Sequence, residues 1–249
     1  MVGTVAVSGF GVSSWILFFP FVFYYFFVPF LDFLIGEDIS NPPESSIEAL
    51  EADAYYRWIT YATIPILWLA VIFNCIFLCT NSLTTLEWLV TVISTGSVLG
   101  FGLNVSHELG HKLQTVPRKI ALFNTALGAY GHFSIEHNRG HHRHVSTPED
   151  PASSKMGENI YQFACREMPG AALRAWRLEA DRLEQQNKSA WHFENEILQA
   201  LCLTALVHGS LIWLYGLDMV IVLIPLAIWG AFQLTSANYV EHYGIQRLK

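Results

Sequence analysis

The sequence predicts an all-α fold, a polytopic bundle of transmembrane helices. Of its 249 residues, 52% are hydrophobic and only 14% are charged, well below the roughly 25% charged residues of a typical soluble domain. The hydrophobic residues also gather in stretches of about 20, the length that a helix needs to cross a bilayer. The net charge of −7 argues against nucleic acid as a partner, because phosphate backbones select basic surfaces.

The apolar stretches predict five membrane spans, at residues 10–31, 60–80, 85–105, 196–216 and 218–236. The first stretch lacks the basic start and the cleavage site of a signal peptide, so we expect it to remain in the protein. A weaker stretch at 120–133 is too short to cross and predicts an interfacial or re-entrant helix.

The charges predict an orientation for these spans. Following the chain across the membrane puts segments 32–59, 106–195 and 237–249 on one face. All 14 Lys and Arg residues fall in these segments, so the positive-inside rule assigns that face to the cytoplasm. Nine of the ten histidines lie there too, when His192 is counted just before the fourth span.

Three histidine motifs carry the predicted chemistry. They are HELGHK at 107–112, EHNRGHH at 136–142 and NYVEHYG at 238–244. Histidines four residues apart share one face of a helix, so each of the first two motifs can present several imidazoles to one metal. Imidazole suits iron, zinc and copper, so the spacing alone does not name the metal. The candidate ligands are His107, His111, His137, His141, His142 and His242.

Other interpretations of these motifs stay open at this point. HELGH fits the HExxH pattern of zinc hydrolases, although the HxxxHH set would then be surplus. The histidines could also lie on a solvated surface loop. Glu108, Glu136 and Glu241 are expected to accept hydrogen bonds from metal-bound imidazoles. His132 and His144 are expected to form hydrogen bonds, and His192 and His208 to pack, without binding metal.

The three motifs resemble those of the integral-membrane alkane 1-monooxygenases. The segments GED at 36–38, NPPE at 41–44 and DAYYR at 53–57 also resemble that family, so the resemblance covers nearly the whole chain. It implies a histidine-rich site for two non-haem irons near the cytoplasmic surface of a bacterial inner membrane. The six histidines above match the family's ligands by position.

The resemblance also implies a reaction and partners. It implies O2-dependent hydroxylation of the terminal carbon of medium-chain alkanes, taken from the bilayer, with electrons from rubredoxin and its reductase. The sequence encodes no haem-attachment motif or dinucleotide fingerprint, so electrons are expected from a partner. The segment from Arg166 to Lys188 is expected to dock an acidic carrier, or else to form a solvated amphipathic helix.

The chain departs from the family pattern in two places. A further box of the form LQRHxxHH is absent, since the chain stops at Lys249, and the family has six spans where five are found. We therefore expect a partial sequence, a single membrane-bound desaturase/hydroxylase-like domain over 1–249 that is truncated at both ends. The alternatives are a xylene-type hydroxylase, a fatty-acyl desaturase, or an inactive metal-binding fragment.

Overall fold

The computed structural model describes residues 14–37, 40 and 43–247. This part of the chain is helical and contains no strand, which confirms the all-α prediction. Five of its helices are long and apolar enough to cross a membrane, as the sequence predicted. The chain forms two compact units, Met1–Thr95 and Gly96–Lys249.

The helices differ from the predicted bounds mainly at their ends. In chain order they are α1 (Ser14–Ile35), α2 (Glu44–Ala52), α3 (Ala54–Thr80), α4 (Thr85–Gly110), α5 (Thr115–Leu127), α6 (133–144), α7 (Ile160–Glu184), α8 (Glu196–Tyr215) and α9 (Asp218–His242). The start of the first predicted span, 10–13, lies outside the described residues. Helix α9 runs to His242, so the third motif ends this helix instead of following it.

In the first unit, polar caps set where the spans begin. The Asp53 carboxylate accepts the backbone N–H of Tyr55 across 2.8 Å at the start of α3. At the start of α4, Glu87 Oε2 accepts from the backbone of Thr84 at 2.9 Å, and Thr84 Oγ1 accepts from the backbone of Glu87 at 3.3 Å. This reciprocal pair is a capping box, which satisfies backbone donors that the helix leaves without partners.

In the second unit, small residues let α4 and α9 approach closely. A Cβ at Gly100 would lie 2.7 Å from Cβ of Gln233, and a Cβ at Gly230 would lie 2.9 Å from Leu99. Glycines allow this kind of close backbone contact between membrane helices. The contact holds the middle of α4 against α9.

Buried hydrogen bonds attach α5 to its neighbours. Asn124 Nδ2 donates to the carbonyl of Gly102 on α4 at 2.7 Å. Thr204 Oγ1 on α8 donates to the carbonyl of Ala126 at 2.7 Å, and His208 Nε2 contacts the carbonyl oxygen of Leu127 at 2.9 Å. Helix α5 therefore lies against α4 and α8, where the sequence predicted an interfacial helix at 120–133.

Helix α7 occupies the segment that the sequence assigned to a docking loop or an amphipathic helix. It begins with a capping box in which Asn159 Oδ1 accepts from the backbone of Tyr161 and Gln162. It packs against α6 and α9. Its inward face carries two buried carboxylates, Glu167 and Glu179.

Candidate metal centre

The first histidine motif lies where α4 ends. His107 is in the last turn of α4 and His111 directly follows the helix, with their ring centroids 4.6 Å apart. The hydrogen bonds of Asn124 to Gly102 and to Ser106 hold this end of α4 against α5. The imidazoles of this motif are therefore presented from a fixed position.

The second motif forms a π-helical turn within α6, at Glu136–His141. In an α-helix with 3.6 residues per turn, residue i+5 lies about 140° around the axis from residue i. A π-helix bonds i to i+5, so its wider turn brings i+4 and i+5 to either side of i. His141 and His142 accordingly both lie beside His137, at ring distances of 5.2 and 4.5 Å.

Four histidines from the two motifs converge on one point. One ring nitrogen each of His107, His111, His137 and His142 lies within 4.8 Å of all the others. His137 Nε2 is 3.3 Å from His111 Nε2 and 3.0 Å from His142 Nε2. Metal–imidazole bonds of about 2.0–2.1 Å in a tetrahedral site place neighbouring nitrogens roughly 3.3 Å apart. The two distances from His137 are close to this value, so the group can hold a metal ion.

The other two candidate ligands form a pair beside this group. The rings of His141 and His242 are 4.7 Å apart. His141 Nδ1 forms a hydrogen bond with Asp150 Oδ2 at 2.8 Å. This bond leaves Nε2 of His141 as the nitrogen that can bind a metal. Nε2 of His242 is buried and has no hydrogen-bond partner among the described residues. A buried polar atom without a partner costs stability, and a metal would remove that cost.

Burial keeps the second motif in the protonation state that metals require. It lowers the pKa of His137 to about 2, helped by the neighbouring histidines. Burial, followed by repulsion from His111 and the other histidines, lowers the pKa of His142 as well. Metal binding needs neutral imidazole, so these residues are ready to bind near neutral pH.

Asp150, which is not among the predicted acceptors, supports the candidate ligand His141. Asp150 is fully buried and accepts from His141. The predicted acceptors are placed differently. The exposed Glu108 is 3.7 Å from Nδ1 of His107, and the exposed Glu241 is 3.9 Å from Nε2 of His242. Both distances exceed a hydrogen bond, so the supporting roles of these glutamates stay predictions.

Glu136, the third predicted acceptor, is paired with an arginine. Its buried carboxylate accepts from Nη2 of Arg174 on α7, which also donates to Asp150 Oδ1 at 2.7 Å. The Arg174 side chain packs directly against Gly140, where an added Cβ would come within 2.7 Å of the guanidinium. Arg174 thus links the carboxylate of the second motif to the carboxylate that orients His141.

The remaining histidines lie outside the four-histidine group. His192 Nδ1 accepts from the backbone of Glu194 at 3.3 Å, and His208 contacts the carbonyl oxygen of Leu127. His132 is half-buried beside Tyr130, and desolvation lowers its pKa to about 4. Its Nε2 has no hydrogen-bond partner within the described ranges.

The helices and the histidine cluster together define a multi-pass helical membrane protein with a group of four histidines, at the end of one span, that can hold a metal ion. A sequence profile described as fatty acid desaturase matches residues 84–249. The chain belongs to that family, because the match covers the histidine motifs and most of the sequence.

Its relatives include alkane 1-monooxygenases, which confirms the resemblance seen in the sequence. Alkane 1-monooxygenase 1 of Alcanivorax borkumensis is 46% identical over the whole chain, and the alkane 1-monooxygenase of Pseudomonas putida is 46% identical over 95% of it. The hydroxylase component of a xylene/toluene monooxygenase from Pseudomonas putida is 30% identical over 58% of the chain. The chain spans about 60% of the length of the two alkane 1-monooxygenases.

Proposed function

We propose that this chain is part of an alkane 1-monooxygenase that hydroxylates the terminal carbon of medium-chain alkanes. The observation that carries the proposal is the group of four imidazoles within 4.8 Å of one another beside the end of a membrane span. The 46% identity to alkane 1-monooxygenases supports the choice of substrate. We further propose that residues 1–249 belong to one desaturase/hydroxylase-like domain.

The proposed cofactor is a pair of non-haem irons. His107, His111, His137 and His142 would hold one iron, and His141 and His242 would contribute to the second. All-imidazole ligation with open positions suits iron that activates O2. The overall reaction consumes an alkane, O2, two electrons and two protons, and it yields the alcohol and water.

The surroundings of the cluster suit an apolar substrate. Phe133 stacks on His137 at a ring distance of 5.0 Å. Phe133 belongs to a buried hydrophobic cluster with Leu103, Tyr130, Ala231 and Leu234, and Met168 packs against this cluster. These side chains keep water from this side of the histidines and give hydrocarbon a favourable environment. We propose that the alkane approaches from the bilayer along this side.

The proposed electron donor is rubredoxin with its reductase, and the proposed location is the cytoplasmic side of a bacterial inner membrane. The one-sided charge distribution supports this orientation. Most cations of the segment 166–188 are already in ion pairs, for example Arg166 with Glu158 and Arg182 with Glu179. Arg177, which is exposed, remains on α7 as a candidate contact for an acidic carrier.

The test compares two proteins. One is the 249-residue chain, and the other is the same chain joined to the C-terminal remainder of the Alcanivorax borkumensis relative. Each is purified in detergent, its iron is measured per chain, and octane is supplied with rubredoxin, its reductase and NADH. We expect the joined protein to hold two irons and to form 1-octanol, and the shorter chain to hold less iron and form none.

Four results would contradict the proposal or part of it. Stoichiometric zinc without iron would contradict the di-iron centre. An alkene product would favour a desaturase, the second candidate, which the family profile supports. Equal octanol formation by both proteins would show that the C-terminal remainder is dispensable. A preference for xylene over octane would favour a xylene-type hydroxylase, the class of the relative that is 30% identical.

A further inference from the structure

A basic pocket adjoins the histidine cluster at the ends of two candidate membrane spans, and His111 of the cluster forms part of its lining. It has a volume of about 340 Å³ and lies between the end of α4, the start of α5, α6 and the start of α8. The residues that line it include four cationic side chains and one carboxylate, namely Lys112, Arg118, Lys119, Arg139 and Glu196. This excess of positive charge indicates an anionic ligand.

The single carboxylate does not neutralise the pocket. Glu196 Oε2 is 3.3 Å from Arg139 Nη2. Lys119 Nζ donates to the neutral amide oxygen of Gln199, at 3.3 Å. Arg118 is exposed and forms no ion pair within the described part of the chain. Two cations are therefore not balanced by carboxylates on the protein.

The start of α5 adds backbone donors to this pocket. The helix has 13 residues, and its cap residue Gln114 makes no side-chain hydrogen bond to the first turn. That first turn contains no acidic residue, and Thr115 lines the pocket. Backbone N–H groups at a helix start that lack partners attract anions, phosphate in particular.

The pocket also lies where two candidate membrane spans end. Gly110 is the last residue of one candidate span and Glu196 is the first residue of another, and both line the pocket. Beside the cations, Leu113 is 95% exposed and Val116 is 61% exposed. Apolar side chains next to cations are typical of surfaces that dip into the membrane interface.

We propose that this pocket binds the phosphate group of an anionic phospholipid, with Arg118 and Lys119 as its main contacts. Basic pockets between membrane helices take up anionic headgroups in this way. A concave site of this volume fits a headgroup better than the broad surface of an electron-carrier protein, and Leu113 and Val116 can contact the acyl chains. The proposal does not depend on the reaction proposed above.

The test measures lipid retention by the 249-residue chain. The protein is reconstituted in nanodiscs of equal parts phosphatidylglycerol and phosphatidylcholine, released, and examined by native mass spectrometry. We expect the wild-type chain to retain phosphatidylglycerol selectively. Each cation near a lipid headgroup contributes about fivefold in affinity. The double variant Arg118→Gln with Lys119→Gln should therefore lower the affinity for phosphatidylglycerol roughly 30-fold. The charge-matched control, Arg143→Gln with Lys155→Gln, changes two exposed cations that do not line the pocket.

Circular dichroism is used to check that each variant keeps its helical content. Equal retention of the two lipids by the wild-type chain would overturn the proposal, as would equal losses in the test and control variants. Loss of rubredoxin binding in the test variant, with lipid retention unchanged, would assign the pocket to an acidic protein instead. Millimolar inorganic phosphate is added in a further arm. Displacement of the lipid supports a site for phosphate alone, and retention despite phosphate supports recognition of the whole headgroup.

Discussion

His141 and Asp150 are joined by a hydrogen bond of 2.8 Å between Nδ1 and Oδ2, and both side chains are buried. Burial alone would raise the pKa of Asp150, but the hydrogen bonds from His141 and Ser153 outweigh it and lower the pKa to about 2. Asp150 is therefore ionised at neutral pH. An anionic acceptor on Nδ1 orients the ring and directs the Nε2 lone pair towards a metal.

Replacing Asp150 with Ala should weaken metal binding, because His141 loses the acceptor that orients it. Removing such an acceptor typically costs about 10–100-fold in affinity, and Asp150→Asn, which keeps an acceptor oxygen, should cost less. The measurement is the metal content of the purified chain during titration with a competing chelator. The control is Glu149→Ala at the neighbouring exposed position. Affinities of Asp150→Ala and Glu149→Ala that agree within twofold would contradict this role.

Gly140→Ala should destabilise the second histidine motif. The added Cβ would lie 2.7 Å from Nε of Arg174, so it would push the guanidinium away from Glu136 and Asp150. Crowding of this kind costs about 1–3 kcal/mol, which should appear as a lower midpoint of thermal unfolding in detergent. The matched control is Gly209→Ala on α8, where a Cβ meets nothing within 4 Å. An unchanged midpoint for Gly140→Ala would show that Arg174 can move without loss.

The sequence predicted the features that depend on local patterns. The five spans follow from uninterrupted apolar stretches, and hydropathy over about 20 residues is sufficient to detect them. His107 with His111, and His137 with His141, were grouped because a spacing of four puts two side chains on one helix face. His142 was included in the prediction by its motif, but the π-helical turn that brings it beside His137 gives no such signal in the sequence.

The contacts that support the ligands could not be predicted, because they join residues far apart in the chain. Arg174 meets Glu136 across 38 residues and Asp150 across 24. No helical periodicity relates these positions, so their pairing depends on how α7 packs against α6. Glu136 is predicted from its place inside a motif, whereas Asp150, nine residues after His141, lies outside any motif.

Glu167 should make the stability of the folded chain depend on pH. Burial raises its pKa from 4.5 to about 7, although it accepts a hydrogen bond from Thr235. Between these two values the folded state keeps a proton that the unfolded state releases. The free energy of unfolding therefore falls as pH rises from about 4.5 to about 7, by a few kcal/mol at most.

Glu167→Gln isolates this contribution, because a neutral amide replaces the carboxyl. Relative to the wild-type chain, the thermal midpoint of Glu167→Gln should rise from pH 5 to about pH 7 and then level off. Taking the difference cancels the contributions of groups that the two proteins share. Glu184→Gln, at an exposed position on the same helix, should show no such trend. A difference that does not change with pH would mean that Glu167 is ionised in the folded state throughout.

His137→Ala should remove more metal than the loss of any histidine outside the cluster. His137 is buried at the centre of the group, with its Nε2 3.3 Å from His111 and 3.0 Å from His142. Its removal leaves three imidazoles around a site that fits four, so we expect the bound metal per chain to fall by at least half. His208→Ala is the control, because its ring contacts the carbonyl oxygen of Leu127, outside the four-histidine group. Metal content is measured after purification under identical conditions, and helical content shows that both variants fold. If His208→Ala lost as much metal as His137→Ala, the site would not be where these four imidazoles meet.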